Sequence, residues 1–374
     1  MSKLYEMIYF YFEILLILHW NPVAEVSSSN IKQIHMLFRH GERSPSQLYK
    51  NDPHNASLWQ DGLGYLTRTG KLQMYNLGQR IRKKYANTIP NFYFPDDVKV
   101  LSSYSDRCLM SAQLFTSGLF VPQKEQIWNE ELLWQPISMN YMPRSQDNMI
   151  ASKQECPTYD ILYEELFKSH KYKKILQENS ELFQYLTEYT GENIDTIRKV
   201  EEIYNTLQIE ELHNLTLPEW THEVYPDLLK PLAAYSLASF TETDFMKKIK
   251  GGPFVKKVLK NMEDILDNKN SPRFFFYSGH DLTLVNILRT LGFTNEMKPN
   301  FAAYLIFELH NTSPATVKIF YSNCGWCEEE ELIVQKCMEP CTLDNLKKNL
   351  DHLLPLDWSQ ECNNKIALNS DDLL

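Results

Sequence analysis

Three short stretches combine residue types that suit chemistry better than packing. Arg39-His40-Gly41-Glu42-Arg43 sets two guanidiniums around an imidazole. Ser278-Gly279-His280-Asp281 puts a second imidazole beside a carboxyl group, and Ser105-Asp106-Arg107 adds a third guanidinium. Guanidinium forks match phosphate oxygens bidentately, and an imidazole next to them can act as a nucleophile. The types therefore suggest an oxyanion held next to a nucleophile.

Each stretch terminates an apolar run. Residues 34–38, IHMLF, read as a short buried strand that stops at Arg39, with Gly41 allowing close backbone approach or positive φ and Pro45 ending regular structure. RFFFY precedes Ser278, and VKVLSS precedes Ser105. Asp281 falls at or near the N-cap of the helix DLTLVNILRTLG. Taken singly, the arginines are solvated turn residues and Asp281 a helix cap beside a structural histidine. Taken together they mean more. Two strand-edge histidines 240 residues apart can face one another only if both strands share a sheet. Ligands of open α/β sheets bind outside the carboxyl ends of such strands.

The intervening chain agrees with an α/β layer. Leu66, Met74, Leu77, Ile81 and Tyr85 recur at helical spacing, and the cationic RIRKKY fits a helix C-terminus. A strand, PDDVKVLSS, and a helix, SDRCLMSAQLFTSGLF, follow. From Pro136 to Pro253 the segments YDILYEELFKSHKYKKILQ, SELFQYLTEYT and IDTIRKVEEIYNTLQIEEL are amphipathic and nearly free of β-branched runs, which predicts a helical insertion. Strands return with PRFFFYSG, then AAYLIFELH and ATVKIFYSN as a hairpin-like pair. The expected organisation is an α/β core, 28–135 and 253–362, split by a helical cap, 136–252, with a polar tail, 363–374.

Composition bounds the rest. A chain of 374 residues can bury a large core, and its net charge of −10 argues against non-specific nucleic-acid binding. An anionic substrate must be met by a local arginine cluster. An apolar block from Ile8 to Leu18 behind Lys3 suits a signal peptide over 1–27 and is short for a ~20-residue membrane span. Glu6 and Glu13 are unusual there and leave an amphipathic helix as the alternative. No second hydrophobic block follows, so no membrane anchor is expected. Asn55, Asn214 and Asn311 begin N-glycosylation sequons. Seven cysteines in an oxidising compartment read as disulfides with one thiol left over. CGWC, nine residues and CMEPC also approach zinc-ligand spacing, but among glutamates and without a histidine.

RHGERSP followed far downstream by GHD resembles the histidine acid phosphatase family, the branch with RHG near the N-terminus and HD near the C-terminus. WQDGLGYLTRTG, SDRCLMSAQ, IWNEELLWQPI, HNLTLPEW, Gly251-Gly252 and WSQEC add matches in order over residues 31 to 362. Within the family the chain is most similar to prostatic, lysosomal and secreted venom-type acid phosphatases. The resemblance implies a mixed-sheet, three-layer α/β core of phosphoglycerate-mutase type with an inserted helical cap. It implies hydrolysis of a small phosphomonoester or phosphopeptide, without metal or other cofactor, by a secreted glycoprotein that can form a homodimer. His40 becomes the nucleophile, giving a phosphohistidine; Arg39, Arg43, Arg107 and His280 hold the phosphate; Asp281 is the general acid and then the base. A donor carboxyl with a modestly raised pKa would favour acidic pH. The resemblance also pairs Cys156 with Cys362 and Cys337 with Cys341. Cys324 and Cys327 could form a local pair. Two departures stand out: Glu42, where relatives have Asp or Ala, with no catalytic consequence expected, and Cys108 for Thr, the candidate unpaired thiol. A phytase-like hydrolase and a binding protein with a retired site are the alternatives.

Overall fold

The structure is a computed structural model describing residues 30–337 and 339–363. The expected signal segment, 1–27, and the tail from 364 onward lie outside the described residues. Among the described residues no helix is long and apolar enough to cross a membrane.

β1 (Ile31–Arg39) behaves as a strand covered on both faces. Ile34, Met36 and Phe38 enter one apolar cluster, and Leu37 enters the other. After it come α1 (Arg68–Lys84), β2 (Val98–Ser102), α2 (Asp106–Leu119) and a two-residue strand, β3 (Asn140–Tyr141). Leu66, counted with α1 from its spacing, instead makes a backbone bridge to Arg43. The Thr67 hydroxyl accepts from Gly70 N at 3.0 Å as the N-cap, so the helix begins two residues after Leu66.

Between β3 and the next strand the chain is helical: α3 (Pro157–Leu166), α4 (His170–Glu178), α5 (Ser180–Thr190), α6 (Ile197–Leu212), α7 (Leu229–Ala238), α8 (Asp244–Lys250) and α9 (Gly252–Leu266). β3 is the exception to the all-helical expectation for 136–252; two residues of main-chain pairing need no β-branched run. The fourth strand, β4 (Phe274–Gly279), leads into α10 (Asp281–Thr290). β5 (Tyr304–His310), β6 (Thr316–Ser322), β7 (Glu330–Glu331), α11 (Leu343–Leu350) and α12 (Trp358–Asn363) complete the described chain.

The strands form one mixed sheet in the order β3-β2-β4-β1-β5-β6-β7. β1, β4, β2 and β3 run parallel, and β5, β6 and β7 join by antiparallel pairing, with β5 and β6 as the hairpin. On one face Met74, Leu77, Ile81 and Phe115 of α1 and α2 pack on Phe38 and Phe276. On the other, Phe254, Val258, Leu284 and Leu346 of α9, α10 and α11 pack on Leu37 and Phe307. Fully burying one such aromatic contributes roughly 2–3 kcal/mol. The result is three layers, helix–sheet–helix. The insertion has its own core, with Phe183, Leu186, Val200, Leu207 and Leu229 packed around Tyr49 from the loop after β1.

Three disulfides are formed: Cys156–Cys362, Cys324–Cys327 and Cys337–Cys341. The cysteines that approached zinc spacing are joined to one another, and Cys108 is free and buried. Cys156–Cys362 ties the start of α3 to α12 across a separation of 206 residues.

Candidate active site

Parallel pairing decides where the three motifs meet. β1 and β4 are in register with Arg39 opposite Gly279, and β2 and β4 with Ser102 opposite Ser278. The carboxyl ends of β1, β2 and β4 therefore lie side by side, and His40, Arg107 and His280-Asp281 leave the sheet together. His40 N still donates to Gly279 O at 3.0 Å, so the nucleophile candidate is held by the ladder itself. The imidazoles of His40 and His280 stand 5.6 Å apart, edge to face.

Gly41 is needed for close approach. A Cβ there would strike the carbonyl of Gly70 at the start of α1, and one on Gly70 would strike Glu42. Gly41 N donates to Ser111 Oγ, which donates to Arg107 O, locking the loop onto α2.

The tautomer of His40 follows from its partners. Nδ1 lies 2.9 Å from the carbonyl of Gly41, which can only accept, so Nδ1 carries the proton. Arg107 Nε, which can only donate, lies 3.1 Å from Nε2 and marks the lone pair. Burial, then Arg107, Arg39, His280 and Arg43, hold the His40 pKa well below the ordinary value. Such a ring is neutral and nucleophilic at Nε2 even in acid. His280 is likewise lowered to about 3, by burial and then Arg107, and its Nε2 lies 2.9 Å from Ser103 Oγ.

Cations crowd around this lone pair. Arg39, 2 % exposed, donates to Pro299 O at 2.6 Å, pairs with Asp281 at 3.1 Å and lies 4.1 Å over the Phe301 ring. Arg43 donates to Ser44 O, and burial followed by Arg107 and Arg39 lowers it to about 9. The Nε–H groups of Arg39 and Arg43 are both buried without an acceptor. Buried donors of charged groups are costly to leave unpaired. Two such orphans beside a neutral nucleophile describe an anion site.

Asp281 meets the sequence expectation in position and departs from it in charge state. His280 is the helix N-cap, Thr283 Oγ1 accepting its N–H at 3.1 Å, and Asp281 is the first helical residue, accepting from Leu282 N at 2.8 Å. Burial pushes its carboxyl upward, but Arg39, then Lys298 and His40, more than offset this and hold it well below the usual carboxylate range. The expected modest elevation is therefore reversed, because ion pairing outweighs desolvation.

Lys298, Glu201 and Phe301 were not singled out from the sequence. Lys298 and Phe301 belong to the turn entering β5, which runs antiparallel to β1 and so begins at the catalytic edge. A lone Lys-Pro before a strand carries no signal of that. Glu42 is buried and turned away, accepting from Thr67 Oγ1 at 2.7 Å and lying 2.8 Å from His213 Nε2. A cleft of about 230 Å³ opens beside Arg43 and Asp281, walled by Gln47, Arg198, Glu202 and Asn205. Larger cavities, of about 660 and 570 Å³, lie elsewhere and contain none of the six motif residues.

Residues 30–322 match the model of the histidine phosphatase superfamily (branch 2). Prostatic acid phosphatase of Rattus norvegicus is 33% identical over 341 residues, 90% of each chain. Venom acid phosphatase Acph-1 of Apis mellifera is 32% identical, over 91% of this chain and 89% of its own. Among solved structures, apo phytase from Hafnia alvei superposes with a TM-score of 0.66 at 15% identity, over 90% of this chain and 98% of its own, a likeness of fold. A shared sheet edge, the ordered motifs and these matches lead to one conclusion: the chain belongs to the histidine phosphatase superfamily (branch 2), among its acid phosphatases.

Proposed function

We propose that this chain is a secreted acid phosphatase that cleaves phosphomonoesters through a phosphohistidine on His40. The observation that carries the reading is the neutral Nε2 of His40, bonded to Arg107 and set beside the orphaned Nε–H donors of Arg39 and Arg43. In the first step Nε2 bonds to phosphorus and the phosphorus–oxygen bond to the leaving alcohol breaks. Arg39, Arg43, Arg107 and His280 hold the three remaining oxygens, where charge is greatest. Asp281 gives its proton to the leaving oxygen. Water then attacks the phosphoryl group, Asp281 takes its proton, the nitrogen–phosphorus bond breaks and inorganic phosphate departs.

The resting Asp281 is ionised, so its proton arrives with substrate binding. A phosphate dianion beside the carboxyl adds like charge and competes for Arg39; both raise its pKa in the complex. Phosphomonoesters lose their second proton near pH ~6, so the complex keeps the proton required in acid. An acidic optimum follows, and a pH–rate profile peaking above neutrality would contradict it.

Helices α3–α7 serve in this reading as a cap over the leaving group, which exits into the cleft bounded by Glu202 and Arg198. Arg198 there is paired with Glu202 at 3.5 Å and Lys298 with Glu201 at 3.0 Å, so these cations are already engaged and not free to bind further phosphates, which favours simple phosphomonoesters or phosphopeptides over phytate. The three disulfides and the exposed positions of Asn55, Asn214 and Asn311 support export and glycosylation. Exposed Trp128, Leu132 and Leu133, ahead of the edge strand β3 in the chain, and Tyr141 on it support a homodimer. The decisive assay offers p-nitrophenyl phosphate and phytate at about pH 5 to the protein and to His40→Ala. Turnover of the first substrate, abolished in the variant, supports the reading. No turnover by the parent protein sinks it, and a strong preference for phytate replaces it with the phytase reading.

A further inference from the structure

The carboxyl assigned above to proton transfer is not held by Arg39 alone. Lys298 Nζ lies 3.1 Å from Asp281 Oδ2 on one side and 3.0 Å from Glu201 Oε1 on the other, and its side chain is 2 % exposed. Glu201 belongs to α6, and its second oxygen accepts from Ser236 Oγ of α7 at 2.6 Å. Arg39, Asp281, Lys298 and Glu201 thus form a buried chain of alternating charge, running from the sheet edge into the insertion.

A lysine ammonium shared between two carboxylates is a poor packing device. Three charges must be desolvated for the two attractions gained, and apolar residues of similar volume would often stabilise as well or better. Its effect on Asp281 is more distinctive. We propose that Lys298 is a positioning residue for the phosphatase reaction, fixing the Asp281 carboxyl through Glu201 and setting the pH at which that carboxyl delivers its proton. The proposal rests on the assignment of Asp281 as proton donor.

Other charged groups face Asp281 as well. Arg39, His40 and Arg43 approach from β1 and the loop after it, His280 precedes it as the cap of α10, and Arg107 of α2 bonds His40. These contact the phosphoryl group in the proposed reaction, so substrate binding alters their hold on the carboxyl. Lys298 bonds Asp281 and Glu201 and takes no part in the phosphate cradle of the proposed reaction, so its hold on the carboxyl persists in the complex; Glu201 lines the leaving-group cleft beside Arg43 and reaches Asp281 through Lys298. Removing Lys298 takes away one opposite charge and leaves Glu201 as a second carboxylate nearby; both effects raise the Asp281 pKa. Removing the Glu201 charge leaves Lys298 to Asp281 alone and lowers it. The two neighbouring substitutions therefore act with opposite sign, which loss of packing alone would not produce.

The test compares kcat–pH profiles of the parent, Lys298→Met, Glu201→Gln and Asp281→Asn. Two substrates are used: glycerol 2-phosphate, whose alkoxide must be protonated to leave, and p-nitrophenyl phosphate, whose leaving group needs little help. Asp281→Asn should lose far more activity on the alkyl ester than on the aryl ester. Lys298→Met should move the basic limb for the alkyl ester upward by about one pH unit, and Glu201→Gln should move it downward. If Lys298→Met does not fold, the downward shift in Glu201→Gln carries the test. Profiles that fall uniformly without moving, or limbs that move the same way in both variants, overturn the role of Lys298 while leaving Asp281 as donor. Equal loss on both esters in Asp281→Asn overturns the donor assignment, and this proposal with it.

Discussion

Glu210, on α6, is 0 % exposed, and neither carboxyl oxygen finds a hydrogen-bond donor. Asp52 Oδ2 and Tyr49 Oη, from the loop after β1, are buried without partners in the same place, and all three groups act on one another electrostatically. Two carboxylates cannot bond each other; a carboxyl and a carboxylate can. Burial first, then the charge of Asp52 and a hydrogen bond to it, push Glu210 up to about 8. The folded protein therefore holds a proton that the unfolded chain releases near 4.5. Because the native state binds more protons, stability from this group is complete below pH ~4.5 and declines as pH rises toward ~8. At 1.36 kcal/mol per unit, the full shift makes the cost about 4 kcal/mol at pH 7.5 and about 1 kcal/mol at pH 5. Sharing of the proton with Asp52 and solvent screening reduce the neutral-pH figure by about half, to roughly 2 kcal/mol. Glu210→Gln supplies an N–H donor to Asp52 without a proton to keep. Urea unfolding should show the variant more stable than the parent by roughly 2 kcal/mol at pH 7.5, with the gain nearly gone at pH 5. A variant equally stable at pH 7.5, or a gain independent of pH, would refute the shared-proton account. The buried histidines act in the opposite sense. His35 and His280, each lowered to about 3 by burial first, and His40 are neutral in the fold, so their contribution is complete above ~6.5 and lost as pH falls.

Other expectations follow from single contacts. Arg107→Lys keeps a charge but loses the planar fork and the Nε bond to His40, and kcat/KM should fall about 100-fold; a loss under threefold would mean Arg107 is peripheral. The Cys108 thiol is fully buried, donates to Gly279 O at 3.3 Å and is pushed up to about 11 by desolvation. It should resist iodoacetamide at pH 8 in the native protein and react, one equivalent per chain, once unfolded without reductant; native labelling would contradict its burial. Trp128→Glu, placing a charge among the exposed apolar residues that precede β3, should halve the sedimenting mass if those residues join two copies. An unchanged mass would remove that interface. Cys156→Ser opens the longest covalent loop and should cost about 2–5 kcal/mol, read as a lower denaturation midpoint.

Much of the site was legible because its signals are local. A strand ending in Arg-His-Gly needs only its own apolar run to be placed, and the same holds for the strand before Gly279-His280. Helix α1 was legible from its spacing except at Leu66. That residue has the right period and burial, yet its backbone bridges to Arg43, a long-range choice that the period cannot report. Gly41 was open between positive φ and close approach; the carbonyl of Gly70, from another element, selects close approach. The direction of the Asp281 shift was misjudged for a related reason. Desolvation can be guessed from a buried-looking motif, but the balance depends on which cations arrive from elsewhere, and Lys298 arrives from a turn with no recognisable pattern.

From the residues alone came the reacting types, the strands and helices that carry them, an α/β body with a helical insertion, and a family whose motifs run in order along the chain. Those depend on side-chain chemistry and on periods of two or 3.6 residues, which are properties of neighbours in sequence. Tertiary structure decided the parallel register of β1, β2 and β4 that brings three distant strand ends together. It also chose the tautomer of His40, the ionised state of Asp281 and the Lys298–Glu201 link behind it. Coulombic and desolvation energies depend on distance in space, and Arg39 and Asp281, which pair here, lie about 240 residues apart in the chain.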